Sequence, residues 1–229
     1  MNERHYERKF YHDLLNLASS SRGISELIKE VDDKTRSEML ALLGDLSETM
    51  IETINTRRHY CNLVANDLRL HPSTVDCEKL LKSLRECYAR HTLADNKEIR
   101  ISSVEKPTPS HKISLTTDKD ILQNALGYGI RTALETIAPG QAVSLGLKAE
   151  TRKGITLIDF TFTFPGSISE EAKAHVFMEP VSDERSLTGH DAYVFYTLIT
   201  VALKGSASWA TEGDKLILCS HFEENSLTC

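Results

Sequence analysis

Between Arg4 and Leu70 the sequence has no proline and only two glycines, Gly23 and Gly44. Without these breakers, short strands and tight turns are not expected there, and long helices are. No run of about 18 apolar residues occurs anywhere, so no transmembrane helix is encoded. An excess of cations is also missing. The chain has 27 Lys and Arg against 33 Asp and Glu, a net charge of −6, which removes electrostatic support for non-specific nucleic-acid binding. The short basic pair Arg57-Arg58 reads as solvated surface. The five cysteines (Cys61, Cys77, Cys87, Cys219, Cys229) show no CxxC spacing. An odd, scattered set argues against a zinc site and against a disulfide framework. The first ten residues, MNERHYERKF, hold no apolar core of the signal-peptide type. The expectation is a cytoplasmic protein, with neither nucleic acid nor membrane as a partner.

The 229 residues suffice for one large or two small domains. In the first part, apolar residues recur at helical spacing: Phe10, Leu14, Leu17, Ala18, then Ile24, Leu27, Ile28 and Val31. The polar break Asp32-Asp33-Lys34-Thr35 interrupts the pattern. It resumes through Met39, Leu40, Leu43, Leu46, Met50 and Ile54 to Leu63, Val64 and Leu68. This predicts a helical hairpin, a first helix near 4–31 and a second near 35–70, ended by His71-Pro72-Ser73. Two helices cannot enclose a core, and these apolar positions span more than one partner helix covers. A homodimer forming a four-helix bundle solves that problem; packing of the hairpin on the rest of the chain is the alternative.

The texture changes near residue 73, which divides the chain into 1–72 and 73–229. The second part predicts a helix over 77–94, strands over 98–104 and 112–116, and a helix over 118–137 opened by Thr117 or Asp118. Strands over 142–150 and 154–164 follow, the latter alternating through Ile158, Phe160, Phe162 and Phe164. Short helices near 168–177 and 190–203 and strands over 206–211 and 214–222 complete it. The fold class expected is α+β, a mixed sheet with helices on one face.

A hairpin carrying FYHDLLNLASSSRGISELI, followed by such a sandwich, resembles the two-domain core of bacterial histidine kinases. There the hairpin is the dimerisation and histidine-phosphotransfer domain, and the α/β sandwich is the ATP-binding domain of the GHKL type. LLKSLRECYARHTLADNKEIRISS is similar to the helix and first strand of that ATP domain. TTDKDILQNALGYGIRTALETIAPGQAVSLGL looks like its N-box helix and following strand. FMEPVSDERSLTGHDAYVFYTLITVALKGSASWATEGDKLILCSHF resembles the segment from the ATP lid to the last strands.

The departures fall on the nucleotide-binding residues. The kinase N-box has two asparagines four apart, the second binding Mg²⁺; here those positions are Tyr128 and Thr132, with Asn124 a turn earlier. The adenine-binding D-x-G-x-G gives way to TFTFPGSIS, with Pro165-Gly166 and no aspartate. The glycine run at the lid end reads Gly189-His190-Asp191-Ala192-Tyr193, where Asp191 would face phosphate and repel it. Phosphoryl transfer from ATP depends almost wholly on positioning and charge neutralisation, so this chain is expected to use no ATP and to bind no cofactor, with Mg²⁺ supplied by a partner receiver domain.

The resemblance makes His12 the phosphoryl acceptor, attacking through Nε2 while the other ring nitrogen keeps a proton. It gives Asp13 the role of orienting or deprotonating the ring. Asn16, four residues on, shares the helix face of His12, and in kinases that position can align a water for phosphatase action. Tyr11, Leu15, Ser19 and Arg22 lie around the same stripe and are candidates for docking a receiver domain. Small residues at Ala18-Ser19-Ser20-Ser21 and Gly23 leave room for close approach; ordinary helix packing explains them equally, and a surface ion pair would account for Arg22. The leading function is a histidine phosphotransferase of a two-component phosphorelay. Its partners would be a second copy and a response-regulator receiver, with a histidine kinase as a further candidate. The alternatives are an atypical active histidine kinase and a non-enzymatic pseudokinase scaffold.

Overall fold

The computed structural model describes residues 3–65, 68–178 and 190–224. The chain divides into two compact units, Met1–Leu68 and Arg69–Cys229. The first is a helical hairpin of α1 (Glu3–Leu27) and α2 (Asp33–Val64). The first helix stops at Leu27, short of the expected 31, because the connection is organised locally. Asp32 accepts hydrogen bonds from the backbone N–H groups of Lys34 (2.9 Å) and Thr35 (3.0 Å), satisfying donors that a helix start leaves open. Arg36 closes the turn from the other side, donating to the Ile28 and Val31 carbonyls and to Asp33.

Among the described residues of this unit, Leu46 is the one buried apolar side chain. Tyr11, Leu15, Leu27, Leu40, Leu42, Ile51 and Ile54 are exposed. The hairpin therefore presents apolar surface well beyond the seam between its two helices.

The second unit is α+β. Its five-stranded sheet is built from β2 (Glu98–Glu105), β4 (Ala142–Arg152), β5 (Ile155–Pro165), β6 (Ser206–Glu212) and β7 (Lys215–Glu223). The spatial order is β2-β4-β5-β7-β6, with β2 and β4 parallel and every other neighbouring pair antiparallel, so the sheet is mixed. Lys153 and Gly154, at φ 51° and 83°, form the β4–β5 turn, and two successive positive φ values match the right-handed twist of the flanking strands. A second, two-stranded sheet pairs β1 (Pro72–Asp76) with β3 (Ser114–Asp118). β1 was not expected; proline is compatible with the first residue of such a strand.

Helices α3 (Cys77–Tyr88), α4 (Lys119–Thr136) and α6 (His190–Thr197) and the four-residue α5 (Glu170–Lys173) complete the unit. α3 begins at an Asp76 cap, and α4 at an Asp118 cap whose second oxygen accepts the His71 N–H at 2.7 Å. α3 ends six residues before the expected 94, followed by a 3₁₀ turn over Thr92–Ala94. α6 passes into a π-helical turn, Leu198–Ala202. The core lies between sheet and helices. Ile158, Phe160, Phe162 and Phe164 of β5 are buried, and Phe162 meets Phe195 of α6 edge-on, ring centroids 6.0 Å apart. Gly129 makes that fit possible: a β-carbon there would lie 2.8 Å from the Phe162 ring.

Candidate functional site

In the hairpin, His12 and Asn16 are exposed on α1, one turn apart. Asn16 Nδ2 lies 3.2 Å from His12 Nδ1, so the amide and the ring are within hydrogen-bond reach. Helical spacing alone produces the contact. Tyr11 and Leu15 are strongly exposed beside them, at 58% and 65%. Phe10 turns partly inward and holds the Tyr11 ring edge-on at 5.2 Å. Ser19 is exposed. Arg22 donates to Glu26 at 3.0 Å as a solvent-exposed ion pair, worth little to stability. The side chain of Asp13 lies outside the described residues. The patch thus brings together an imidazole, an amide and two large apolar groups.

In the second unit, the positions that matched the nucleotide boxes carry other chemistry. Tyr128 is buried, with the Arg131 guanidinium over its ring at 5.5 Å. Thr132 is buried, and Asn124 is half-buried. Arg131 Nε lies 2.8 Å from Asp191 Oδ2, both side chains largely enclosed, tying α4 to the first turn of α6. The expectation that Asp191 would face and repel phosphate is corrected here: its charge is neutralised by Arg131, a partner that the sequence did not reveal. Gly189 lies outside the described residues. Among the described residues, no group of three or more His, Cys, Asp and Glu side chains is arranged to hold a metal ion, and no helix is long and apolar enough to cross a membrane.

Two of the described cysteines are shifted away from reactivity. Burial pushes the Cys77 thiol up to about 12, and burial reinforced by Asp159 pushes Cys219 up to about 11. At neutral pH both are thiols.

No family model matches the chain, and no curated protein matches it. Solved structures do resemble it. The Acinetobacter baumannii histidine kinase AdeS superposes over 93% of this chain and 98% of its own, at 17% identity and a TM-score of 0.59. The nucleotide-free catalytic domain of histidine kinase ThkA covers 68% of this chain and 97% of its own, at 11% identity and a TM-score of 0.56. ThkA in complex with the response regulator TrrA matches 98% of this chain at 10% identity and a TM-score of 0.58, and the chain spans 63% of that protein. At such identities the likeness speaks to architecture: this chain has a histidine-kinase-like fold, and its mixed sheet resembles a GHKL catalytic domain.

Proposed function

We propose that the chain is a histidine phosphotransferase, carrying phosphate on His12 to or from the aspartates of response-regulator receiver domains. The observation that carries this reading is the exposed His12 on a regular helix, with Asn16 3.2 Å from its Nδ1. Turning the Asn16 amide by half a rotation presents Oδ1 to an Nδ1–H, the tautomer whose lone pair sits on Nε2. In that state Nε2 attacks the phosphorus of an aspartyl phosphate, the P–O bond to the aspartate breaks, and the aspartate leaves as a carboxylate. Reversal returns the phosphoryl group. Asp13, the adjacent acid, is assigned to hold or move the ring proton.

The partner supplies the receiver aspartate and Mg²⁺. Tyr11, Leu15 and Ser19 form its docking face with His12, and Arg22, once drawn from Glu26, meets an acidic group on the receiver. The exposed apolar side chains of both hairpin helices favour a second copy as the cover, giving a homodimeric four-helix bundle. The domains then divide at about residue 72 into a phosphotransfer hairpin and an ATPase-like unit that uses no ATP. Tyr128 and Thr132, buried where the kinase N-box carries its two asparagines, support the last point.

The test supplies [γ-³²P]ATP alone and a ³²P-phosphorylated receiver domain, each with wild type and His12→Gln. Label arriving only from the receiver, and lost in His12→Gln, is the expected result. Label from ATP alone would replace this reading with an active kinase. Absence of label from either donor would leave a scaffold.

A further inference from the structure

The outer face of the five-stranded sheet holds a hydrogen-bonded chain of side chains that phosphotransfer at His12 does not use. Asp159 on β5 and His221 on β7 are direct cross-strand partners, and Ser208 on edge strand β6 lies diagonally beyond them, opposite Cys219. His221 Nδ1 is 2.8 Å from Asp159 Oδ1, and His221 Nε2 is 2.9 Å from Ser208 Oγ. A carboxylate only accepts, so Nδ1 carries the ring proton; Nε2 of the neutral ring then accepts from the Ser208 hydroxyl. This is the order and polarity by which a base activates a serine nucleophile.

Two further features surround the chain. A groove of about 620 Å³, within the size range of small-molecule sites, is lined by His221, Asp159, Lys204 and Arg152, and a second, more open one of about 640 Å³ is lined by Ser208 with Ala207, Trp209 and Tyr196. The Glu224 N–H donates to the Thr156 carbonyl. Alternation along the ladder then makes Asp159 and His221 a non-hydrogen-bonded pair, whose side chains approach most closely. It also turns the N–H groups of Ala207 and Trp209, which flank Ser208, out of the sheet edge, where they can meet a developing oxyanion.

We propose that Ser208 and His221 form an acyl-transfer site for small carboxylic esters, with Asp159 as the positioning residue. Ser208 Oγ attacks the ester carbonyl as its proton passes to His221 Nε2. The bond to the leaving alcohol breaks, and the alcohol takes that proton. Water, deprotonated by the same ring, then attacks the acyl-serine, releasing the carboxylic acid and restoring the hydroxyl. Cys219, the neighbouring nucleophile on the same face, is a thiol at neutral pH and does not compete.

The test uses the full chain with a fluorophosphonate probe, mapped by peptide mass, and with p-nitrophenyl acetate. Labelling at Ser208 is expected, abolished in Ser208→Ala, at least tenfold slower in His221→Gln, and unchanged in Ser73→Ala, an exposed serine of β1. Asp159→Asn should lower kcat about 10²-fold, the scale of assisted proton transfer, with KM little changed, as expected of a positioning residue. The charged and titratable groups facing His221 are Asp159, Glu150, Arg152, Lys204, Glu223 and Cys219. Loss of Asp159 removes the nearest stabiliser of the imidazolium. No label at Ser208, label that ignores His221→Gln, or a wild-type rate flat between about pH 5 and 8 would overturn the proposal. The wild-type profile decides alone if His221→Gln does not fold.

Discussion

In the unit Arg69–Cys229 the phenylalanines between sheet and helices are closed away: Phe160, Phe162, Phe164 and Phe195 are at most 1% exposed. In the hairpin, Leu46 alone among the described residues is buried, and Ile51 stands 59% exposed. The α/β unit has a sheet to lay its helices against and so closes its own core. Two helices have only each other, and a seam between them covers one stripe of each. Among the described residues the hairpin therefore leaves apolar surface uncovered, whereas the second unit closes a core of its own. The proposed phosphotransfer chemistry sits where that surface is left open.

The largest expected effect separates chemistry from folding. His12→Gln should abolish phosphoryl transfer from a receiver while changing the thermal unfolding of the chain by little, because the ring is exposed and substitutions at exposed positions change stability within about 0.5 kcal/mol; a calorimetric scan beside the transfer assay checks both. Phe162→Ala should do the reverse. It removes a fully buried ring packed against Gly129 and Phe195, costing about 3–5 kcal/mol in denaturant titrations. Ile51→Asp then tests the cover over the hairpin. An exposed isoleucine tolerates change within about 0.5 kcal/mol, but one buried by a second copy loses about 1.5–3 kcal/mol of transfer free energy. Sedimentation should therefore show a dimer for wild type and a monomer for the variant. A variant that still sediments as a dimer places the interface elsewhere.

The second unit was legible where a pattern repeats within one element. The alternation of β5 gives its buried face directly, and Asp118 announces α4 because capping is a local event. The helical pattern runs past the end of α3 because ARHTLA contains no breaker; there His91 Nδ1 accepts the Leu93 N–H, and the backbone goes into a 3₁₀ turn. β1 leaves little trace in the sequence, because its first residue, proline, reads as a terminator and only Val75 of its five residues is buried. The site divides the same way. His12 and Asn16 are four apart on one helix, so their contact is written in the spacing. The Arg131–Asp191 pair and the Asp159–His221–Ser208 chain join residues from separate elements, and nothing local in the sequence signals them.

Two smaller effects contrast the helix caps of the units. Asp118 is buried and holds two backbone donors, the Ile121 and His71 N–H groups, so Asp118→Ala should cost about 1–2 kcal/mol in urea titrations. Asp32 caps α2 in full solvent. The Thr35 backbone N–H, its hydroxyl and the Lys34 N–H hold its carboxyl below the ordinary aspartate value, outweighing a slight opposing effect of burial. A depressed folded-state value means that the cap contributes its full stabilisation above the ordinary aspartate range and loses it as pH falls through the folded value. The hairpin, followed by helical circular dichroism, should lose thermal stability on acidification through that range, and Asp32→Asn should flatten this part of the profile. Asparagine keeps an oxygen for the Thr35 N–H but has no charge to titrate. An acid transition of equal size in Asp32→Asn would assign the loss to other carboxylates and leave Asp32 as a geometric cap only.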